Sequence, residues 1–354
     1  MSKVLFILKC RDLPYAGEEK FFDQTKNYSY CMTSGLLNSA TLVSDMLNDH
    51  HIESHVVQVL DNNDIDREVT KHKPTHVMIE ALWVVPEKFE VLRKLHPKVK
   101  WIIRLHSEIP FLANEGIAVK WMNAYIKQPN VWLAPNSRRL YNDLINYYKA
   151  VYENAHEKIV FLPNYYNRQP EACVEHNPHV LNIGCFGAIR PLKNQLIQAY
   201  AAVEYARNTN KKLVFHMNSQ RVEQHGNPNL DNIRALFTGL DPDKYELKEH
   251  PWMHHNHFRK LVRKMDVGLQ VSFTETFNIV TADFVSQDIP IVVSNEVEWA
   301  SCLFKVGTDD AEAIADKIGR ALTLGRFGAY LNKLGLERYN KESSKRYLHF
   351  LRNH

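Results

Sequence analysis

Cysteine is scarce in this chain of 354 residues. Cys10, Cys31, Cys173, Cys185 and Cys302 are scattered, odd in number and never spaced as Cys-x-x-Cys. That pattern fits reduced, buried thiols in a cytoplasmic protein better than a disulfide framework or redox chemistry. Long apolar runs are also missing. Met1-Ser2-Lys3 is followed by five apolar residues before Lys9, too few for a secretion signal and better read as a first buried strand. No stretch approaches the length of a membrane span. Charge of one sign is barely in excess, at +4. This suits an anionic substrate without establishing a nucleic-acid partner. Low-complexity segments and short-period repeats are absent, as are the glycine spacings of a Walker loop and of a G-x-G-x-x-G turn.

What is present is an alternation of short apolar runs with longer amphipathic stretches. This is the pattern of parallel sheets covered by helices. The first half predicts strands at Val4–Leu8, His55–Leu60, His76–Leu82, Trp101–His106, Val131–Pro135 and Ile159–Pro163. Its helices are expected at Ser34–Asn48, Pro86–Leu95, Ala113–Lys127 and Ser137–Ala150. The polar stretch Tyr165 to Pro178 reads as a linker. The second half predicts strands at Val180–Phe186, Lys212–Met217, Tyr245–Lys248, Val267–Val271 and Pro290–Ser294. Helices follow at Asn194–Arg207, Asn229–Leu236, His254–Met265, Val280–Gln287 and Ala311–Leu324, with two more between Phe327 and Leu351. The expected class is α/β, with domains at 1–168 and 169–326 and C-terminal helices at 327–354. Ligands of open α/β sheets bind outside the carboxyl ends of the strands, so the residues there are the ones to inspect.

Two strand exits carry the chemistry. Gly187-Ala188-Ile189-Arg190-Pro191-Leu192-Lys193-Asn194 follows one strand and leads into a helix. A helix start favours an anion, Arg190 can grip two phosphate oxygens, and Lys193 adds a point charge. The bland alternative is a surface Arg and Lys near a helix start. The second exit, Ser272 to Asp283, places Glu275 directly after a strand and Asp283 eight positions on. One carboxylate can accept from two vicinal sugar hydroxyls. The backbone N–H groups of Asn278 and Ile279 start the helix, where a phosphate could meet them. Asp283 lies among Ala282, Phe284 and Val285, and a carboxylate buried there needs a partner.

With these residues the chain resembles a retaining GT-B glycosyltransferase, close to glycosyltransferase family 4. That family carries a Glu-x7-Glu motif, an Arg and Lys after the first strand of its second domain, and a Pro-Asn ending its first domain. Here they read Glu275-x7-Asp283, Arg190 with Lys193, and Leu162-Pro163-Asn164, with Asp in place of the second Glu. Asn278 stands where the family has a glycine. The resemblance implies two Rossmann-like domains facing across a cleft and a nucleotide-diphosphate sugar, of the UDP-sugar type, as donor. No metal or other cofactor is expected. Glu275 would contact the donor sugar, Asp283 the ribose, and Arg190 and Lys193 the diphosphate.

In the first half, His106 ends a strand and would lie by the donor sugar. Arg104 is expected to be masked or paired. Ser34-Gly35 opens a helix where the backbone can approach a sugar or phosphate, though ordinary capping would explain it as well. The long loop Lys9 to Met32 could cover an acceptor. Asp64-Ile65-Asp66 and Asp241-Pro242-Asp243 have a metal-binding form but read as a helix start and a turn. The histidine-rich run His250 to His257 falls where a nucleotide base is expected, and metal binding there is the minor reading. Arg259, Lys260, Arg263 and Lys264 read as a solvated helix face. The acceptor is open among a glycan, a lipid, a small molecule and a hydroxymethylated DNA base. The last draws on Arg138-Arg139 and the basic run Lys341 to Arg352. Competing readings are a non-catalytic nucleotide-sugar-binding protein and another GT-B enzyme, such as a phosphorylase or epimerase.

Overall fold

The computed structural model describes residues 2–9, 34–151, 154–172 and 174–354. Cys10, Cys31, Cys173 and the loop Lys9 to Met32, apart from Lys9 itself, lie outside the described residues. The chain divides into two units, Met1–Tyr166 with Tyr339–His354, and Asn167–Arg338.

The first unit holds β1 (Lys3–Lys9), β2 (Glu53–Val59), β3 (His76–Glu80), β4 (Lys100–Leu105) and β5 (Val131–Pro135), all parallel in the order β2-β1-β3-β4-β5. Its helices are α1 (Ser34–Asp49), α2 (Asp64–His72), α3 (Lys88–Leu95), α4 (Ile109–Leu112), α5 (Ala118–Lys127) and α6 (Arg138–Lys149). Side chains alternate across the sheet. Leu5, Ile7, Val77, Ile79, Trp101 and Ile103 pack under α2, α3, α5 and α6. Val4, Phe6, Met78, Ile102 and Trp132 pack under α1 and the end of the chain. Coverage on both faces is why these strands read as unbroken apolar runs.

The second unit holds β6 (Val180–Cys185), β7 (Lys212–Asn218), β8 (Tyr245–His250), β9 (Val267–Gln270), β10 (Ile291–Ser294) and β11 (Lys305–Val306). They are parallel in the order β11-β10-β9-β6-β7-β8. Chain order runs outward in opposite directions from the β6–β9 junction, which makes that junction the topological switch point of a doubly wound sheet. Its helices are α7 (Gln195–Thr209), α8 (Asn227–Thr238), α9 (His255–Val262), α10 (Ile279–Ser286) and the first part of α11 (Ala311–Asn353), whose residues from Tyr339 onward belong to the first unit. The second core gathers Ile183, Phe215, Val267, Leu269 and Val292 with Ala202, Ile233 and Ile318. Among the described residues no helix is long and apolar enough to cross a membrane.

Three expectations are corrected. Residues 159–163 form one isolated bridge, Leu133 with Ile159, rather than a strand, and Pro163 has no N–H to extend the ladder. The helix expected over Ala113–Lys127 begins only at Ala118, as α5, and a separate short helix, α4, precedes it at Ile109–Leu112. The helix start read at Asp64 opens the nine-residue helix α2, Asp64–His72. The two helices expected between Phe327 and Leu351 are one, which breaks from the preceding helical run at Gly325 (φ 47°, ψ −128°).

The switch point is built on a close approach. Gly184 of β6 and Gly268 of β9 are register partners. A Cβ on Gly268 would lie 2.6 Å from the Phe284 ring, and one on Gly184 would lie 2.9 Å from it. Two glycines side by side thus seat the buried Phe284 of α10 against the sheet. Gly268→Val should lower stability by about 1–3 kcal/mol through overpacking. A fall in the urea midpoint at unchanged m-value is the expected readout.

Candidate functional site

The two sequence motifs meet at the β6–β9 junction. After β6 the chain passes Gly187 (φ 119°), a single 3-10 turn at Pro191–Lys193, and Asn194 in the left-handed region (φ 58°) before α7 begins. Lys193 therefore precedes the helix by a tight turn instead of standing at its first residue. The exits of β6 and β9 are stapled together. Phe273 N–H donates to the Leu192 carbonyl (3.0 Å), and the Asn194 amide donates to the carbonyls of Val271 (3.0 Å) and Thr308 (2.7 Å). Gln198 accepts from Val271 N–H (2.8 Å) and donates to the Lys193 carbonyl (2.9 Å). On this frame Lys193 Nζ and Glu275 Oε1 form an ion pair.

Asn278 takes the left-handed conformation (φ 57°) that a glycine would adopt freely, and asparagine is among the residues that tolerate it. Its side chain is used as well. Oδ1 caps α10 by accepting from Thr281 N–H (2.8 Å), and Nδ2 donates to Gln270 (2.9 Å). The N–H groups of Ile279 and Val280 are left without an acceptor among the described residues. The positive end of α10 thus lies within three to five residues of Glu275 along the chain.

Asp283 is 2 % exposed, and its partner is His255, whose Nε2 donates to Oδ1 at 2.5 Å. Arg190 turns to Glu223 (Nε to Oε2, 2.8 Å), which also receives Arg221 Nε at 2.6 Å. Burial would raise the Glu223 carboxyl, but the charges of Arg190 and Arg221 hold it below the usual range. The Arg221 guanidinium lies over the Trp252 ring at 4.8 Å. The Gly187 N–H is engaged by Asn218 Oδ1 (3.1 Å), so this glycine contributes its conformation and not a free donor.

The histidine-rich run disperses. His250 stacks on His216 (rings 5.2 Å apart, 8° between planes), while His255 serves Asp283. No group of metal-ligating side chains forms among the described residues. Asp64 accepts from the N–H groups of Leu60 and Asp61 in the turn before α2, not from N–H groups of the helix itself, whereas Asp241 accepts from Asp243 N–H, as turn chemistry requires. The reading of Arg259 to Lys264 as a solvated face is corrected for two residues. Arg259 and Arg263, one helical turn apart, are buried. Arg259 pairs with Glu171 (3.3 Å) and donates to the Gln169 carbonyl, and Arg263 donates to the Gln287 carbonyl.

In the first unit, Glu80 at the end of β3 binds Arg104 (2.6 Å) and His106 (2.5 Å). Arg104 is fully buried, donates to Asn164 Oδ1 (2.8 Å), and lies between the rings of Phe6 and Tyr347. Asn136 stands 3.2 Å from His106 Nδ1. Burial would raise the Glu80 carboxyl, but Arg104 and then His106 hold it below the usual range. For His106, burial leads and pushes the imidazole below its usual range against the pull of Glu80. Both ring nitrogens are engaged, Nε2 by the Glu80 carboxylate and Nδ1 by the Asn136 amide. Gly35 is the second residue of α1, and a Cβ there would meet nothing within 4 Å. Ser34 is the first residue of the same helix.

No protein-family model and no curated protein sequence matches the chain. Solved structures do. A UDP-forming α,α-trehalose-phosphate synthase from Burkholderia xenovorans is 12% identical with a TM-score of 0.63, over 100% of this chain and 99% of that one. Anabaena HepE, solved with UDP and glucose, is 13% identical with a TM-score of 0.62, over 98% and 99%. The chain has the GT-B fold. A glycosyltransferase from Rickettsia africae is a further GT-B match, 14% identical at a TM-score of 0.57, over 100% and 99%.

Sequence reasoning did not single out Glu80, Glu223, Arg221 or the His255–Asp283 bond. Glu80 closes an apolar strand and looks like its polar end. The Arg221–Glu223 segment has no periodicity to mark it, although the need for a partner at Asp283 was readable from its apolar neighbours.

Two outcomes follow from the buried groups. Glu80→Gln leaves Arg104 without a counter-charge and should cost about 3–5 kcal/mol, read as a drop in unfolding free energy. Burial also depresses His216 to about 3 and His250 to about 4, from the usual 6.5. The unfolded chain then binds these protons more readily than the folded one. The stability held by the pair is complete above pH 6.5 and is lost as pH falls toward 4. Thermal melts on acidification should show this fall, with a shallower slope in His250→Phe.

Proposed function

We propose that this GT-B protein is a glycosyltransferase that moves a sugar from a nucleotide-diphosphate donor to an acceptor hydroxyl. The observation that carries the reading is the Lys193–Glu275 pair at the switch point, with the N–H groups of Ile279 and Val280 beside it in sequence. These groups combine a mobile cation, an anion-seeking helix start and a carboxylate. Such a set suits a sugar linked to a diphosphate.

In this reading the donor diphosphate takes Lys193 from Glu275, and the freed carboxylate accepts from sugar hydroxyls. Asp283, held by His255, accepts from the ribose. The glycosidic carbon–oxygen bond breaks with its electron pair passing to the diphosphate, whose growing charge Lys193 and Arg190 neutralise. The acceptor oxygen bonds to the same carbon, and its proton passes to a departing phosphate oxygen. Retention of configuration belongs to this proposal, as do a UDP-type donor and a cytoplasmic location. His106, Ser34 and Gly35 keep their assigned roles within it. His106, with both nitrogens engaged, suits positioning better than proton transfer. Since Lys193 and Arg190 supply the positive charge, the scheme requires no metal. Acceptor hydroxyls of glycans, lipids, small molecules and hydroxymethylated DNA bases all fit the scheme.

A panel of nucleotide sugars scored by thermal shift should reveal a stabilising donor, and hydrolysis or transfer of that donor separates an enzyme from a binding protein. Lys193→Ala and Glu275→Ala should each lower turnover by about 10²–10³-fold with unchanged circular dichroism. Wild-type rates in both would falsify the assignment.

A further inference from the structure

The net charge of the chain is not spread over it. Residues 338–354 hold five lysines and arginines against one glutamate, whereas the other 337 residues carry 39 of each sign. The whole excess of +4 therefore sits in the last four to five turns of α11. Arg338, Lys341, Lys345, His349 and Arg352 are all exposed and recur every three or four residues. That spacing places them in one stripe along the helix, about 21 Å long. Ser343, Tyr347, Phe350 and Leu351, on the opposite side, are buried.

Among the described residues no carboxylate lies within ion-pair distance of Arg338, Lys341, Lys345 or Arg352. The single glutamate of the segment, Glu342, is held by both Arg138 and Arg346, whose guanidiniums lie over the Phe161 ring at 5.0 and 5.3 Å. It therefore does not offset the stripe. A merely solvated helix face gains from alternating signs at i and i+4. This one sets Lys341 against Lys345, which weakens the helix. The C-terminal end of the helix dipole accounts only for the last turn, and thus for Arg352.

We propose that this face of α11 binds the phosphodiester backbone of a nucleic acid. Phosphates recur far more densely along a duplex than these cations do along the helix, so each cation finds a partner. A membrane surface is disfavoured. Helices that lie on bilayers insert an apolar face, and here Tyr347, Phe350 and Leu351 are committed to the core of the first unit. The proposal stands on charge placement and does not depend on glycosyl transfer.

The test is fluorescence anisotropy of a labelled duplex of about 20 base pairs with the full chain at several salt concentrations. Binding should weaken linearly in log–log form, with a slope of about −3 to −5 for the four or five contacts. Lys341→Glu/Lys345→Glu/Arg352→Glu should weaken binding by about 100-fold and flatten the slope by about three. The control Lys94→Glu/Lys98→Glu/Lys211→Glu alters exposed lysines elsewhere and should leave most of the binding in place. Circular dichroism checks that both variants fold. Equal losses in the two triple variants would overturn the proposal. So would undiminished binding by the α11 variant, or preferential capture by phosphatidylserine vesicles.

Discussion

The joining of two strand exits at the β6–β9 junction is the constraint on which the second unit's site depends. Lys193 and Glu275 are 82 positions apart in the chain, and neither could hold its place alone. Backbone bonds between Phe273 and Leu192, and the amides of Asn194 and Gln198, fix the two loops as one piece. A flexible lysine then needs little ordering to meet its carboxylate. The same staple would hold both groups in place when a ligand separates them, which is how preorganised charge becomes useful to chemistry.

A different economy governs the first unit. There a buried carboxylate, Glu80, serves a guanidinium and an imidazole at once, and Asn136 and Asn164 satisfy much of what remains. Such a network favours one arrangement strongly, because loss of any member leaves a charge or donor stranded in a low-dielectric interior. It holds the His106 ring by both of its nitrogens.

Much of this was legible in the sequence. Apolar runs marked nearly every strand because both sheets are covered on both faces, and the chemistry at the two strand exits was visible in residue types alone. The failures have physical causes. β11 is two residues long and carries no period. α2 buries only Ile65, Glu68 and Val69 in nine residues, too thin a stripe to stand out from its charges. Glu223 and Arg221 became visible only when a bridge between Ile189 and Val222 brought their loop beside Arg190. The buried Arg259 and Arg263 looked like a solvated pair because sequence cannot show that carbonyls of distant segments wait for them.

The seat of Phe284 over two glycines has a consequence for motion. A ring that occupies the room of two missing side chains leaves α10 no space to slide along or rotate on the sheet. Asp283, on the same helix, is therefore as immobile as the core itself. Any adjustment in this part of the second unit is left to the short exits on either side, while the helix acts as a fixed abutment.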